Sequence, residues 1–327
     1  QYPYHPTGRG FGEYYGFTSG HWGDYFDPPL DHNGQPVTGS GFIADDLTGR
    51  AVAFAEKAVA AGTPFFCYLA LNTPHSPMQV PDAYWDRFQA AELKLRGGKG
   101  EDVPHTRAAL AMCENVDDNV GRLLAALKKM GAERDTVVVY FHDNGPNGSR
   151  WNGGMKGKKG STDEGGVRSP LHVRWPAKVK PGTVVTPVAA AVDLYPTLID
   201  LAGIKRAGGK PFDGVSLAPW LLGGSAPPPD RVLVQHWGGK TSGRDQRYRL
   251  DAAGALFDLT ADPGQEKDVS AAHPADAKRL AAAVAAWKKD VLGELPATDE
   301  RAFPVGHMAM PRAYLPARDG VPVGGVK

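Results

Sequence analysis

Apolar and polar positions follow two rhythms along this chain. From Asp45 to Gly62 the apolar residues recur at helical spacing. Leu47, Ala51, Phe54, Ala55 and Ala58 share one face, two aspartates open the segment and Gly62 closes it. The same period predicts a long helix over Thr106–Met130, with a stripe of Cys113, Val116, Val120, Leu123, Leu124 and Leu127 and a stop at Gly131. It predicts further helices at 192–202, before Gly203, and at Pro274–Leu292. Between the first three of these helices the rhythm changes to short unbroken apolar runs, at 64–71, 136–141 and 171–175. Such runs predict strands buried on both faces. Strands alternating with helices predict an α/β fold, a mixed but mostly parallel sheet sandwiched by helices.

The pattern shifts again after 223–230, a stretch rich in Pro and Gly that reads as a linker. Strand candidates at 231–236, 246–250 and 255–259 then precede the last helix, which predicts a small α+β unit with antiparallel strands. Residues 1–44 are rich in Gly, Pro and aromatics and read as irregular chain folded over a surface. The tail from 295 has no periodicity. The expected organisation is therefore a main domain at 1–222, a subdomain at 231–294 and an irregular tail at 295–327.

Composition narrows the function classes. The 327 residues are 42% hydrophobic and 22% charged, and 37 Lys plus Arg against 36 Asp plus Glu leave a net charge of +1. Nothing in that balance suggests a nucleic-acid partner. No apolar run approaches the roughly 20 residues of a membrane span. The two cysteines, Cys67 and Cys113, lie in an apolar run and on a helical stripe, so both are expected to be small buried hydrophobes. Neither has the spacing of a zinc site.

Three loops could carry chemistry. Asp143-Asn144-Gly145 follows the 136–141 run, and its hard oxygens suit Ca²⁺ or Mg²⁺. The tripeptide is equally a good turn. His75 sits between Pro74 and Pro77, which restrict its loop; it reads either as a surface turn histidine or as a group that contacts an anion or moves a proton. Residues 155–166 combine glycines with Lys156, Lys158 and Lys159. They read as a solvated basic loop or as a cradle for a tetrahedral anion. Together the loops describe a cation site, a histidine and a lysine around an anion, which is equipment for moving a sulfuryl or phosphoryl group.

The stretches PFFCYLALNTPHSPMQVP (64–81), DDNVGRLLAALKKMG (117–131), VVVYFHDNG (137–145), MKGKKGSTDEGGVRSPLHVRWP (155–176), AVDLYPTLIDLAGI (191–204), FDGVSLAPWL (212–221) and LFDLTADPGQEKDV (256–269) occur in an order that resembles the sulfatase family, with its alkaline-phosphatase-like fold. The resemblance implies a sulfuric ester hydrolase. It places a Ca²⁺-binding pair on Asp143 and Asn144, a sulfate contact on His75, and the sulfate-binding lysine of a Gly-x-Lys-Gly-Ser/Thr turn on Lys159. Lys156 and Lys158 are expected outside the shell of direct contacts. A sulfated carbohydrate is among the implied substrates, and a periplasmic or extracellular location is implied as well.

The sequence also departs from the family. Its nucleophile is a formylglycine made from the first residue of a C/S-x-P/A-x-R motif. Cys67 is followed by Tyr68-Leu69-Ala70, Cys113 by Glu114-Asn115-Val116, and no serine starts the motif either. The segment with two further aspartate cation ligands is absent too. The expectation is a fragment of a normal sulfatase, inactive as this chain alone. A phosphonate or phosphate monoester hydrolase of the same superfamily, or a non-catalytic binding remnant, are the alternatives.

Overall fold

A computed structural model gives the fold and describes residues 3–18, 23–89, 92–93, 100–206, 208–296, 298 and 306–308. Most of the 295–327 tail lies outside the described residues. The chain forms two compact units, residues 1–92, 104–130 and 298–327 in the first and 93–103 and 131–297 in the second.

The first unit opens with a 3₁₀ turn and a three-stranded antiparallel sheet, β1 (Tyr15–Gly16), β2 (Pro29–His32) and β3 (Gln35–Thr38). Residues 1–44 are thus less irregular than their composition implied. The cause is Asn33-Gly34, which joins β2 to β3 with φ of 53° and 83°. Positive φ at both central residues is what a two-residue hairpin turn of matching twist demands. Helix α1 (Ile43–Ala60) follows, then α2 (Asp82–Gln89) and α3 (Val103–Lys129). Tyr25, Leu30, Phe42, Ile43, Ala44, Leu47 and Met112 form the core between sheet, α1 and α3. One carboxylate oxygen of Asp45 in α1 accepts hydrogen bonds from Asn115 at 3.0 Å and Asn119 at 2.7 Å, both buried in α3.

The run 64–71 does not form the expected buried strand. No residue in it is assigned to a ladder, and Phe66 and Tyr68 are 61% and 64% exposed. A strand apolar on both faces needs neighbours on both sides, and none pairs with it among the described residues. Cys67 is exposed for the same reason. Cys113 is exposed because the buried stripe of α3 runs through Ala109, Met112, Val116 and Asn119. Both cysteines correct the expectation of burial.

The second unit holds β4 (Val138–Phe141) paired with β5 (Leu171–Arg174), the short helix α4 (Glu164–Val167) between them, then α5 (Leu194–Ala202) and α6 (Ala218–Leu221). A four-stranded meander follows: β6 (Leu233–Trp237), β7 (Lys240–Arg244), β8 (Tyr248–Leu250) and β9 (Leu256–Asp258). Helix α7 (Pro274–Trp287) covers it through Leu280, packed on Tyr248, Leu250 and Leu256. Every ladder among the described residues is antiparallel, β4 with β5 included. The mostly parallel sheet is therefore not formed among them. The apolar runs carry the composition of parallel strands, but among the described residues β4 pairs with β5 alone, and that partner runs the other way. No helix among the described residues is long and apolar enough to cross a membrane.

Candidate active site

Strand β4 ends at Phe141 and delivers His142, Asp143 and Asn144 into the turn beyond it. Asp143 is exposed and Asn144 half-buried. The Asn144 amide nitrogen donates to the Gly145 carbonyl at 2.8 Å, which fixes the amide and leaves its oxygen as an acceptor. Next to it, the Gly145 N–H donates to the Gly166 carbonyl at 3.0 Å, so the turn after β4 and the glycine-rich loop lie backbone to backbone. Only glycine fits there: a Cβ on Gly145 would lie 1.9 Å from the Gly165 carbonyl oxygen. The Lys159 N–H donates to the Pro146 carbonyl at 2.9 Å. Asp143, Asn144 and Lys159 thus sit on two turns of one unit that share backbone hydrogen bonds.

The three lysines of the loop differ. Lys156 Nζ lies 3.4 Å from Asp251 and 3.7 Å from Asp163, and 5.0 Å above the Phe257 ring. It joins the loop to the end of β8 and to β9. Lys158 is exposed. Lys159 is half-buried, and among the described residues no carboxylate lies within ion-pairing distance of it.

The loop is held from below by a carboxylate that the sequence pattern did not single out. Glu164 starts α4 and is 1% exposed; it accepts from Arg244 at 2.8 Å and from Arg249, itself 1% exposed, at 2.8 Å. Arg249 also donates to the Thr162 carbonyl at 2.8 Å, and Ser242 Oγ donates to the same carbonyl at 2.7 Å. The Glu164 N–H is taken by the Gln265 side chain at 2.8 Å. Its partner Arg249 stands between Tyr248 and Leu250 in a strand whose three residues are all buried, and a buried guanidinium requires a carboxylate partner.

His75 belongs to the first unit. Its Nδ1 lies 2.9 Å from the Ser76 carbonyl, which can only accept, so Nδ1 carries the proton. In the neutral ring Nε2 is then the basic nitrogen. Tyr25, fully buried, donates its hydroxyl to the His75 carbonyl at 2.6 Å and so ties the loop to the core. Thr73-Pro74 and Ser76-Pro77 are both cis.

The donor set fits Ca²⁺ in kind, since Asp143 and Asn144 offer hard oxygens. It fits only in part in number, because Ca²⁺ takes six to eight and no cluster of three acidic, histidine or cysteine side chains occurs among the described residues. Neither Cys67 nor Cys113 begins a C/S-x-P/A-x-R motif.

The family model described as Sulfatase matches residues 1–204. The chain is 33% identical over 242 residues to the uncharacterized sulfatase YdeN of Escherichia coli K12, covering 71% of this chain and 41% of that protein. It is 30% identical over 244 residues to mouse N-acetylgalactosamine-6-sulfatase, covering 68% and 44%. The chain thus spans less than half the length of these curated relatives. Among solved structures, Ps i-CgsB superimposes with a TM-score of 0.78 at 31% identity, over 88% of this chain and 68% of that one. BT4656, at 20% identity and a TM-score of 0.72 over 89% and 78% of the two chains, shares the fold.

Proposed function

Because the chain belongs to the sulfatase family, we propose that the whole protein hydrolyses a sulfate ester and that its substrate is a sulfated carbohydrate. The observation that carries this reading is the bond from the Lys159 N–H to the Pro146 carbonyl at 2.9 Å. It ties the lysine of Gly157-Lys158-Lys159-Gly160-Ser161 to the turn bearing Asp143 and Asn144, and Lys159 has no carboxylate of its own to neutralise it among the described residues.

In this reading Lys159 holds the charge of the sulfate. Asp143 and Asn144 would hold Ca²⁺, which would supply further positive charge toward the same anion. His75, in the other unit, keeps its ring against the Ser76 carbonyl at 2.9 Å and carries the family's sulfate-contact role as a separate part of the proposal. In this reading a formylglycine would supply the attacking hydroxyl; no C/S-x-P/A-x-R motif in the 327 residues provides its precursor. The carbohydrate substrate is supported by relatives. Mouse N-acetylgalactosamine-6-sulfatase acts on a sugar sulfate by its name, and the Ps i-CgsB structure has been solved with a neocarrahexaose. A periplasmic or extracellular location belongs to the same proposal.

The test is product analysis with the whole protein. Release of inorganic sulfate from a sulfated sugar is expected. Release of phosphate from a phosphate monoester with no sulfate released would assign the protein to the phosphatase branch instead, and no release of either would leave a binding protein.

A further inference from the structure

Strand β6 ends at Trp237, and the turn Gly238-Gly239 leads into β7 at Lys240. The Trp237 side chain is 63% exposed. It nevertheless occupies a defined place beside the lysine loop: a Cβ on Gly160 would lie 3.7 Å from Trp237 Nε1, the nearest atom to that position. Lys159 is the preceding residue.

Both elements are anchored. On the hairpin, His236 shares a hydrogen bond with Thr241 at 2.8 Å and lies against Trp287, ring centroids 6.0 Å apart. On the loop, the Thr162 carbonyl is gripped by Ser242 of β7 and Arg249 of β8. The hairpin that carries Trp237 and the loop that carries Lys159 are therefore held beside one another by contacts that neither side chain makes itself. Single exposed aromatics are common and need no explanation. This one adjoins a half-buried lysine without a counter-ion among the described residues, and its N–H edge faces that lysine's turn.

An indole face suits the flat C–H face of a pyranose, and its N–H donates to a hydroxyl. A cation one residue away suits the sulfate carried by the same ring. We propose that Trp237 forms a wall of the substrate subsite, stacking on the pyranose that bears the sulfate ester and so favouring a sulfated sugar over free sulfate. The proposal rests on Lys159 being the sulfate-binding residue.

The test is calorimetric titration of the 327-residue chain with a panel of monosulfated methyl galactosides and glucosides, with their unsulfated counterparts and with inorganic sulfate. Trp237→Ala, Trp237→Phe and Lys159→Ala are compared, each checked for an unchanged melting curve. Trp237→Ala should weaken the best sulfated sugar by about tenfold, the scale of one aromatic contact. Trp237→Phe should retain most of the affinity. Inorganic sulfate should respond to Lys159→Ala and not to Trp237→Ala. Equal binding of the sulfated sugar by wild type and Trp237→Ala overturns the proposal, as does a panel in which no sugar binds more tightly than inorganic sulfate. If Trp237→Ala weakens the sugar but Lys159→Ala leaves sulfate binding unchanged, the lysine assignment falls and takes with it the placing of the aromatic contact beside the sulfate.

Discussion

Glu164 and Arg249 stand 85 residues apart in sequence and 2.8 Å apart in space, each only 1% exposed. The pair fastens the lysine loop to β8. Removing one partner of a buried pair costs about 3–5 kcal/mol, toward the low end here because Arg244 remains 2.8 Å from Glu164. Arg249→Met should lose stability on that scale in urea unfolding, and amide exchange at Gly165 and Gly166 should accelerate. A loss below about 1 kcal/mol, the range of surface pairs, would show that the pair does not hold the loop.

Asp193 supplies a pH signature. It is fully buried and meets Arg231 through two bonds of 2.6 Å, while Val215 and Ala190 donate backbone N–H groups to it. Burial alone would raise its pKa, but Arg231 and the two N–H groups outweigh burial and hold the carboxyl below its ordinary 3.8. A depressed folded-state pKa gives stability that is present above the unfolded value and lost as pH falls through the folded one. Asp193→Asn should therefore be clearly destabilised at neutral pH, and its gap from wild type should shrink as pH drops below 3.8. A gap that stays constant between pH 7 and pH 3 would contradict this.

Lys159→Ala and Lys156→Ala should separate function from stability. A preorganised cation on the transferring group contributes about 3–4 kcal/mol, roughly 10² to 10³ in rate. In the whole enzyme Lys159→Ala should lose kcat/KM on that scale with little change in melting temperature. Lys156, paired with Asp251 and Asp163, should show the reverse: a modest loss of stability and near-normal turnover. If Lys156→Ala damages kcat/KM more than Lys159→Ala while both remain folded, the register across this loop is wrong.

The 327-residue chain by itself should not turn over a generic aryl sulfate. No cysteine or serine in it begins the C/S-x-P/A-x-R motif, and covalent catalysis without its nucleophile forfeits nearly all acceleration. Sulfate release well above a buffer blank would overturn that expectation.

The helices were legible because each carries its own period and stop: α1, α3, α5 and α7 all lie where the apolar spacing placed them. Strand β7 was not, since Lys240-Thr241-Ser242-Gly243-Arg244 has no apolar residue to betray it. It is buried because Ser242 and Thr241 find polar partners and Gly243 makes room for Val284 and Val232. The hairpin at Asn33-Gly34 was written in the sequence and hidden by the glycines and aromatics around it. The run 64–71 misled in the other direction, because composition reports what a strand could bury and not whether a neighbour is there to bury it. At the candidate site, residue type pointed to Asp143, Asn144 and the three-lysine loop, and the family resemblance alone singled out Lys159 within it. Neither pointed to Glu164, because its role depends on a partner supplied by a distant strand.

The backbone contact between the turn after β4 and the lysine loop also limits how this protein can be redesigned. A Cβ at Gly145 would meet the Gly165 carbonyl at 1.9 Å, and one at Gly166 would meet the Ser161 carbonyl at 2.4 Å. Neither obstacle is a side chain that could swing aside. A library aimed at new anion selectivity would waste its diversity on those glycines, whereas the exposed Lys158 and the neighbouring Trp237 can be varied without touching the seam. The two turns are bound to one another as a single engineering module, to be transplanted together or left in place.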